Sequence, residues 1–269
     1  MTSSARPAIN VFLLNADPDT NKNSLCRRVV KASMDVFNAN PSQYKVVTTD
    51  LSNDGWLDPI STKDFNRLSD PIHINVRTEQ MVSPLLIKIQ DEQQKLLNSD
   101  LFLVFAPLSW FGMPSQFFAW WERVITFGKM YGPGKLYQTG SCARKKALCV
   151  LVTNKKQEDF GKDTQNGTIE ELLYPVTHGM LYPLGFKIYR TQAIFLPNPA
   201  QYDETLTKFQ SAIKELEERT PITFNSPNDY TNWVLHTNEK DRKNDLELLA
   251  EKGDMTIQEA TMKISTSTE

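Results

Sequence analysis

The run DLFLVFA (Asp100–Ala106) has no polar residue after its first. A strand wet on one face would alternate, so six apolar residues in succession predict a strand buried on both faces, as in parallel sheets sandwiched by helices. INVFLLN (Ile9–Asn15), YKVVTTDL (Tyr44–Leu51), KALCVLVT (Lys146–Thr153) and Phe186–Leu196 supply further strands. Helical spacing fills the intervals. SLCRRVVKASMDVF follows the first strand, and a helix opened by Ser83-Pro84 runs through Leu97 with Pro in its first turn. QFFAWWERVITF follows Pro114, Gly167–Leu184 is helical with a kink near Pro175, and a polar helix extends to Glu218.

Strand and helix therefore alternate to about residue 218, which predicts an α/β architecture with right-handed crossovers. Five strands favour a flavodoxin-like doubly wound parallel sheet over a six-stranded dinucleotide fold. The chain is read as a domain over 1–219 and a C-terminal extension over 220–269 that packs on the domain or on a dimer partner. The extension begins with the loop-like TPITFNSPNDYTNW and continues into a charged helix, EKDRKNDLELLAEK.

A net charge of −2 gives no basic field to attract nucleic acid. No apolar run is long enough to span a bilayer, and MTSSARPAIN lacks a secretory pattern, so a cytoplasmic location is expected. Cys26, Cys142 and Cys149 form no CxxC pair, and with His73, His178 and His236 they make no metal-ligand spacing. Reduced thiols are expected, with Cys149 in the core.

Ligands of a doubly wound sheet lie beyond the carboxyl ends of its strands, here the first, third and fourth. The first loop, Asn15–Ser24, has neither G-x-G-x-x-G nor a P-loop pattern. Ser24 is either a helix N-cap or part of a phosphate site at that helix start. In the third loop, PLSWFGMP sets Trp110 and Phe111 between two prolines. These rings either plug the sheet end or meet a flat aromatic ligand. Trp120 and Trp121 on the next helix suit core or dimer packing.

PLSWFGMP followed by WWERV resembles the NAD(P)H:quinone oxidoreductase (DT-diaphorase-like) family of the flavodoxin-like fold. Pro107, Leu108, Trp110, Phe111, Gly112, Pro114 and Trp121–Val124 match its pattern, with support from EQQKLLNSDL, KKAL and YPVTHGMLYPLGF. The resemblance implies a homodimer binding FAD (FMN possible). Such an enzyme passes hydride from NAD(P)H through the flavin to a quinone or similar aromatic acceptor, in ping-pong order. It assigns cofactor contacts to Ser24, Leu25 and Cys26, to Pro107, Leu108, Ser109, Trp110 and Phe111, to Glu122, and to Thr153, Asn154, Lys155 and Lys156. Phe111, Tyr131, Tyr230 and Trp233 are assigned to a substrate pocket, with Tyr131 serving the partner's.

Several positions depart from the family's pattern. Cys26 stands where Asn is usual, Pro133 replaces a tyrosine, and Pro183 replaces a phenylalanine. The fourth loop reads Thr153-Asn154-Lys155-Lys156 where the family has glycines. Phe160 and Asn166 occupy the places of a Tyr/His pair, so no catalytic side chain is assigned there. Lys155 and Lys156 are either solvated loop lysines or a source of positive charge beside a reduced flavin. These changes keep open a second reading, a catalytically impaired dimer acting as a binding or regulatory module.

Overall fold

A computed structural model describes residues 7–225 and, beyond them, the backbone of residues 230–231 and 234–235. The parallel sheet has the strand order β2-β1-β3-β4 and then a split edge. Its strands are β1 (Ile9–Asn15), β2 (Tyr44–Asp50), β3 (Leu101–Pro107) and β4 (Lys146–Thr153). The expected fifth strand is two short pieces, β5 (Lys187–Ile188) and β6 (Gln192–Phe195), both parallel to β4. Three residues separate Ile188 from Gln192, but only two separate their partners Ala147 and Val150. The extra residue interrupts the ladder as a bulge.

Both faces of the sheet are covered, which is why its central strands read as unbroken apolar runs. Helices α1 (Leu25–Asn38) and α6 (Tyr202–Lys214) pack over Val11, Leu13, Leu103, Phe105, Leu148 and Val150. The intervening strand residues face the opposite way. There Phe102 stacks with Trp120 and with Phe186 at centroid distances of 6.1 and 5.9 Å. Trp120 belongs to α4 (Ser115–Val124), and its indole N–H donates to the buried Glu92 on α3 (Ile87–Asn98) at 2.9 Å. Trp120 is thus a core residue, as is Cys149.

The helix expected from Ser83-Pro84 begins later, at Ile87. Ser83 is extended, as a residue before proline tends to be, and Leu85 forms an antiparallel bridge with Phe65. An extra short helix, α2 (Val76–Val82), precedes it. The Gly167–Leu184 segment is α5 (Ile169–Val176) followed by a π-turn over Thr177–Leu181 and a 3-10 turn. Pro175 inside α5 lacks the N–H that would continue the ordinary ladder.

Residues 52–86 form a long excursion between β2 and α3. Trp56 is its buried centre, and Asp64 meets Arg123 of α4 in an ion pair at 2.5 Å. Both side chains of that pair are nearly dry, at 2% and 9% exposure. The sheet-bound chain ends at Ile222, whose N–H donates to Ile188 O at 2.8 Å. Residues 230–231 and 234–235 pair as an antiparallel hairpin. The expected charged helix lies outside the described residues.

Candidate functional site

The carboxyl ends of β1, β3 and β4 meet at the reversal of strand order, where a doubly wound sheet opens a crevice. Three loops leave it there.

The third loop is a tight turn closed by two reciprocal bonds, Ser109 N–H to Gly112 O at 3.0 Å and Gly112 N–H to Ser109 O at 2.8 Å. Trp110 and Phe111 at its tip have φ of +48° and +58°. Left-handed backbone is unfavourable for aromatic residues, and such strain concentrates at binding sites. The geometry also throws both rings outward: Trp110 is 99% exposed and Phe111 42%. They do not plug the sheet end. The Leu108 N–H continues the sheet by bonding Val152 O, so it is not free for a ligand. The amides of Trp110 and Phe111 are not used by the turn's own bonds.

The fourth loop lies beside the third. Lys155 Nζ sits 5.6 Å from the Phe111 ring centroid, and the Lys155 N–H donates to Thr153 Oγ1 at 3.2 Å. Among the described residues with positive φ, none falls between 154 and 160. The loop therefore follows a path open to side chains, which explains how it dispenses with glycine. The Lys156 N–H bonds Asp159 Oδ2, closing a 3-10 turn. Phe160 packs on Phe195 at 5.7 Å, and Asn166 Nδ2 donates to Asp159 O at 2.8 Å. Both of the latter hold the loop's shape.

The first loop is built differently. Asn or Asp stands at every second position from Asn15 to Asn23, and the first four of these side chains each accept the N–H two residues on. This ladder delivers Ser24, which caps α1 by accepting the Arg27 N–H at 3.2 Å. The Ser24 hydroxyl donates to Asp17 Oδ2 at 2.5 Å, and Asp17 is only 3% exposed. Arg27 is engaged by Asp50, and its Nε donates to Asp19 O at 2.6 Å. Cys26 faces inward with its thiol near Asn15 Oδ1; burial, with the Asp17 charge next, pushes that thiol well above its ordinary pKa. Cys26, being buried, can serve a ligand here only through its backbone.

Other assigned residues lie elsewhere. Glu122 and Tyr131 line a separate cavity of about 410 Å³ with Trp121, Gln80 and Met180, so the chain does not bring them to Phe111. Tyr230 enters the hairpin by its backbone alone, and Trp233 lies outside the described residues.

A flat ring fits the rim formed by Trp110, Phe111 and Lys155, which offers two exposed aromatics and a nearby cation. A phosphate at the start of α1 does not fit as well, because Asp17 already supplies an anion there. Asp17 itself gave no signal as a site residue in the sequence. The alternating Asn/Asp positions were the available clue, since that spacing allows successive side chains to bond the backbone.

The family model described as flavodoxin-like fold matches residues 9–219. The chain belongs to this family. Human ribosyldihydronicotinamide dehydrogenase (quinone) is 31% identical over 193 residues, covering 65% of this chain and 84% of its own. NAD(P)H dehydrogenase (quinone) 1 of Cavia porcellus is 28% identical over 189 residues, covering 67% and 69%. A solved chain from Klebsiella pneumoniae superposes with a TM-score of 0.73 at 22% identity, over 85% of this chain and 94% of that one. The last likeness carries the fold.

Proposed function

We propose that this protein is a flavin-dependent NAD(P)H:quinone oxidoreductase. The single observation that carries the reading is the turn at the end of β3, where strained backbone presents Trp110 and Phe111 to solvent at the ligand crevice. The names of the relatives supply the reaction class. A bound flavin, FAD or FMN, would accept hydride from the nicotinamide and deliver it to the acceptor, each partner using one site in turn. This chain's part is to orient flat rings against Trp110 and Phe111 and to exclude water between them.

Lys155 supplies a positive charge beside that stack, favouring extra negative charge on a reduced ring. It stands in for the proton chemistry that Phe160 and Asn166 cannot perform. The acceptor is a small quinone or related aromatic. The working unit is a cytoplasmic homodimer in which Tyr131 completes the partner's pocket. Among the described residues no helix is long and apolar enough to cross a membrane.

The test is the absorbance spectrum of the purified protein after mixing with FAD or FMN, followed by anaerobic NADH or NADPH. Bound flavin that bleaches rapidly and recovers on adding a quinone is expected. A protein that stays colourless with both flavins refutes the reading. Flavin that binds but resists both donors supports instead a binding or regulatory role, which the substitutions at Phe160 and Asn166 favour.

A further inference from the structure

The start of α1 is where this fold offers its amides to a ligand phosphate. In this chain the position has its own anion. Asp17 is 3% exposed, and both its carboxylate oxygens are engaged: Oδ2 by the Ser24 hydroxyl at 2.5 Å and Oδ1 by the Asp19 N–H at 3.0 Å. Its backbone carbonyl is held by Ser52 Oγ at 2.7 Å, so the residue is fixed at both ends. Through Ser24 the carboxylate is linked to the first-turn amide of Arg27. The Arg27 guanidinium feels the Asp17 charge but is bonded to Asp50. One guanidinium thus faces two carboxylates, those of Asp17 and Asp50.

We propose that Asp17 is a cofactor-specificity residue that fills the phosphate position at the start of α1, so that this protein selects its flavin by the ring and not by the phosphate. The proposal rests on the flavin reading and names how that site chooses its ligand. A phosphorylated flavin must either displace the Asp17 carboxylate from Ser24 or sit beside it. Both routes oppose binding, the first through a lost charge-assisted hydrogen bond and the second through like-charge repulsion. Riboflavin, with the same ring and no phosphate, meets neither obstacle.

The experiment compares the wild type with Asp17→Asn and Asp17→Ser. Asn keeps the shape and an acceptor for the Asp19 N–H. Ser removes the charge by a different route, in case the first variant folds poorly. Riboflavin, FMN and FAD are titrated by fluorescence quenching, and sodium pyrophosphate alone is tested by its effect on Tm. In the wild type the three flavins should bind within about threefold of one another. In the variants FMN and FAD should tighten about tenfold or more while riboflavin is unmoved, a tenfold gain being about 1.4 kcal/mol. Pyrophosphate should raise the Tm of the variants and not of the wild type.

A wild type that prefers FMN or FAD over riboflavin by tenfold overturns the proposal, as do variants with unchanged flavin ratios. If no flavin binds to any form, the flavin reading fails and the pyrophosphate arm decides alone. Stabilisation of the variants only then upholds Asp17 as the excluding group, and equal response in all forms overturns it.

Discussion

Arg123→Met removes the cation that is ion-paired with the buried Asp64. In the native protein Arg123 Nε donates to Asp64 Oδ1 at 2.8 Å, and its guanidinium lies 4.7 Å from the ring centroid of the buried Trp56. Met preserves most of the stem volume, so the loss is mainly that of the charge. Asp64 would be left at 2% exposure without its partner, and breaking such a pair costs about 3–5 kcal/mol. For a domain of this size each kcal/mol lowers Tm by about 2–4 °C, so a drop of roughly 6–20 °C is expected. Urea denaturation followed by circular dichroism and by tryptophan fluorescence measures it, with an unchanged slope showing that only stability has moved. Asp64→Asn is the matching partner variant, because Asp64 Oδ2 also accepts the Ser61 N–H and Asn retains an acceptor for it. Combining the two should cost clearly less than the sum of the single losses, since the second change removes the orphaned charge. A single-variant loss under about 1 kcal/mol, or strict additivity, would refute the claim that this pair ties residues 52–86 to α4.

Trp110→Ala should leave stability within about 0.5 kcal/mol of the wild type, because the side chain is 99% exposed, yet weaken ring binding or raise the acceptor KM about tenfold. A matching fall in unfolding stability, read by denaturation, would show a packing role instead. Asp50→Asn probes the Arg27 pair through pH. Partial burial raises the Asp50 pKa, but Arg27 and the Asn53 amide outweigh it and hold the carboxyl below its usual range. Its stabilisation is therefore full above the unfolded-state pKa of about 3.9 and lost as pH falls through the lower folded value. The variant should be about 1–2 kcal/mol less stable at pH 7, with the gap closing below about pH 4 in parallel urea titrations; a gap that persists at pH 2 contradicts the assignment.

The sheet was legible because burial on both faces leaves a plain mark: β3 and β4 are apolar nearly throughout, and their limits follow from the runs themselves. Ser24 was legible as a cap because a hydroxyl before a helical period has few other uses. The split of β5 from β6 was not, since one surplus residue in a strand changes pairing without altering composition. Pro84 misled for a related reason. Proline suits a first helical turn and an extended approach equally, and the Phe65–Leu85 bridge that decides between them joins residues twenty positions apart. In the site, PLSWFGMP was readable as a local turn with large rings. The Lys155–Phe111 contact and the Asp17–Ser24 bond are tertiary or loop-scale facts, and charge count alone does not reveal which carboxylate is buried.

The two halves of the crevice carry opposite charges, and the physics of each explains how they are held. Side chains are tolerated in the fourth loop because its backbone never enters the left-handed region, so they cost little there and Lys155 gains a position over Phe111. Placing Asp17 in the first loop is tolerated because Ser24 and the Asp19 N–H satisfy both carboxylate oxygens, an arrangement that persists only while no phosphate competes for Ser24. Lys155 puts positive charge beside the ring, and Asp17 puts negative charge at the start of α1. In the flavin reading proposed above, the two together would shift the binding free energy of a phosphorylated flavin from its tail toward its ring. The contribution of Trp110 and Phe111 to affinity should accordingly be larger than that of Ser24: Trp110→Ala should weaken riboflavin and FMN alike, whereas Ser24→Ala should weaken neither by more than about threefold.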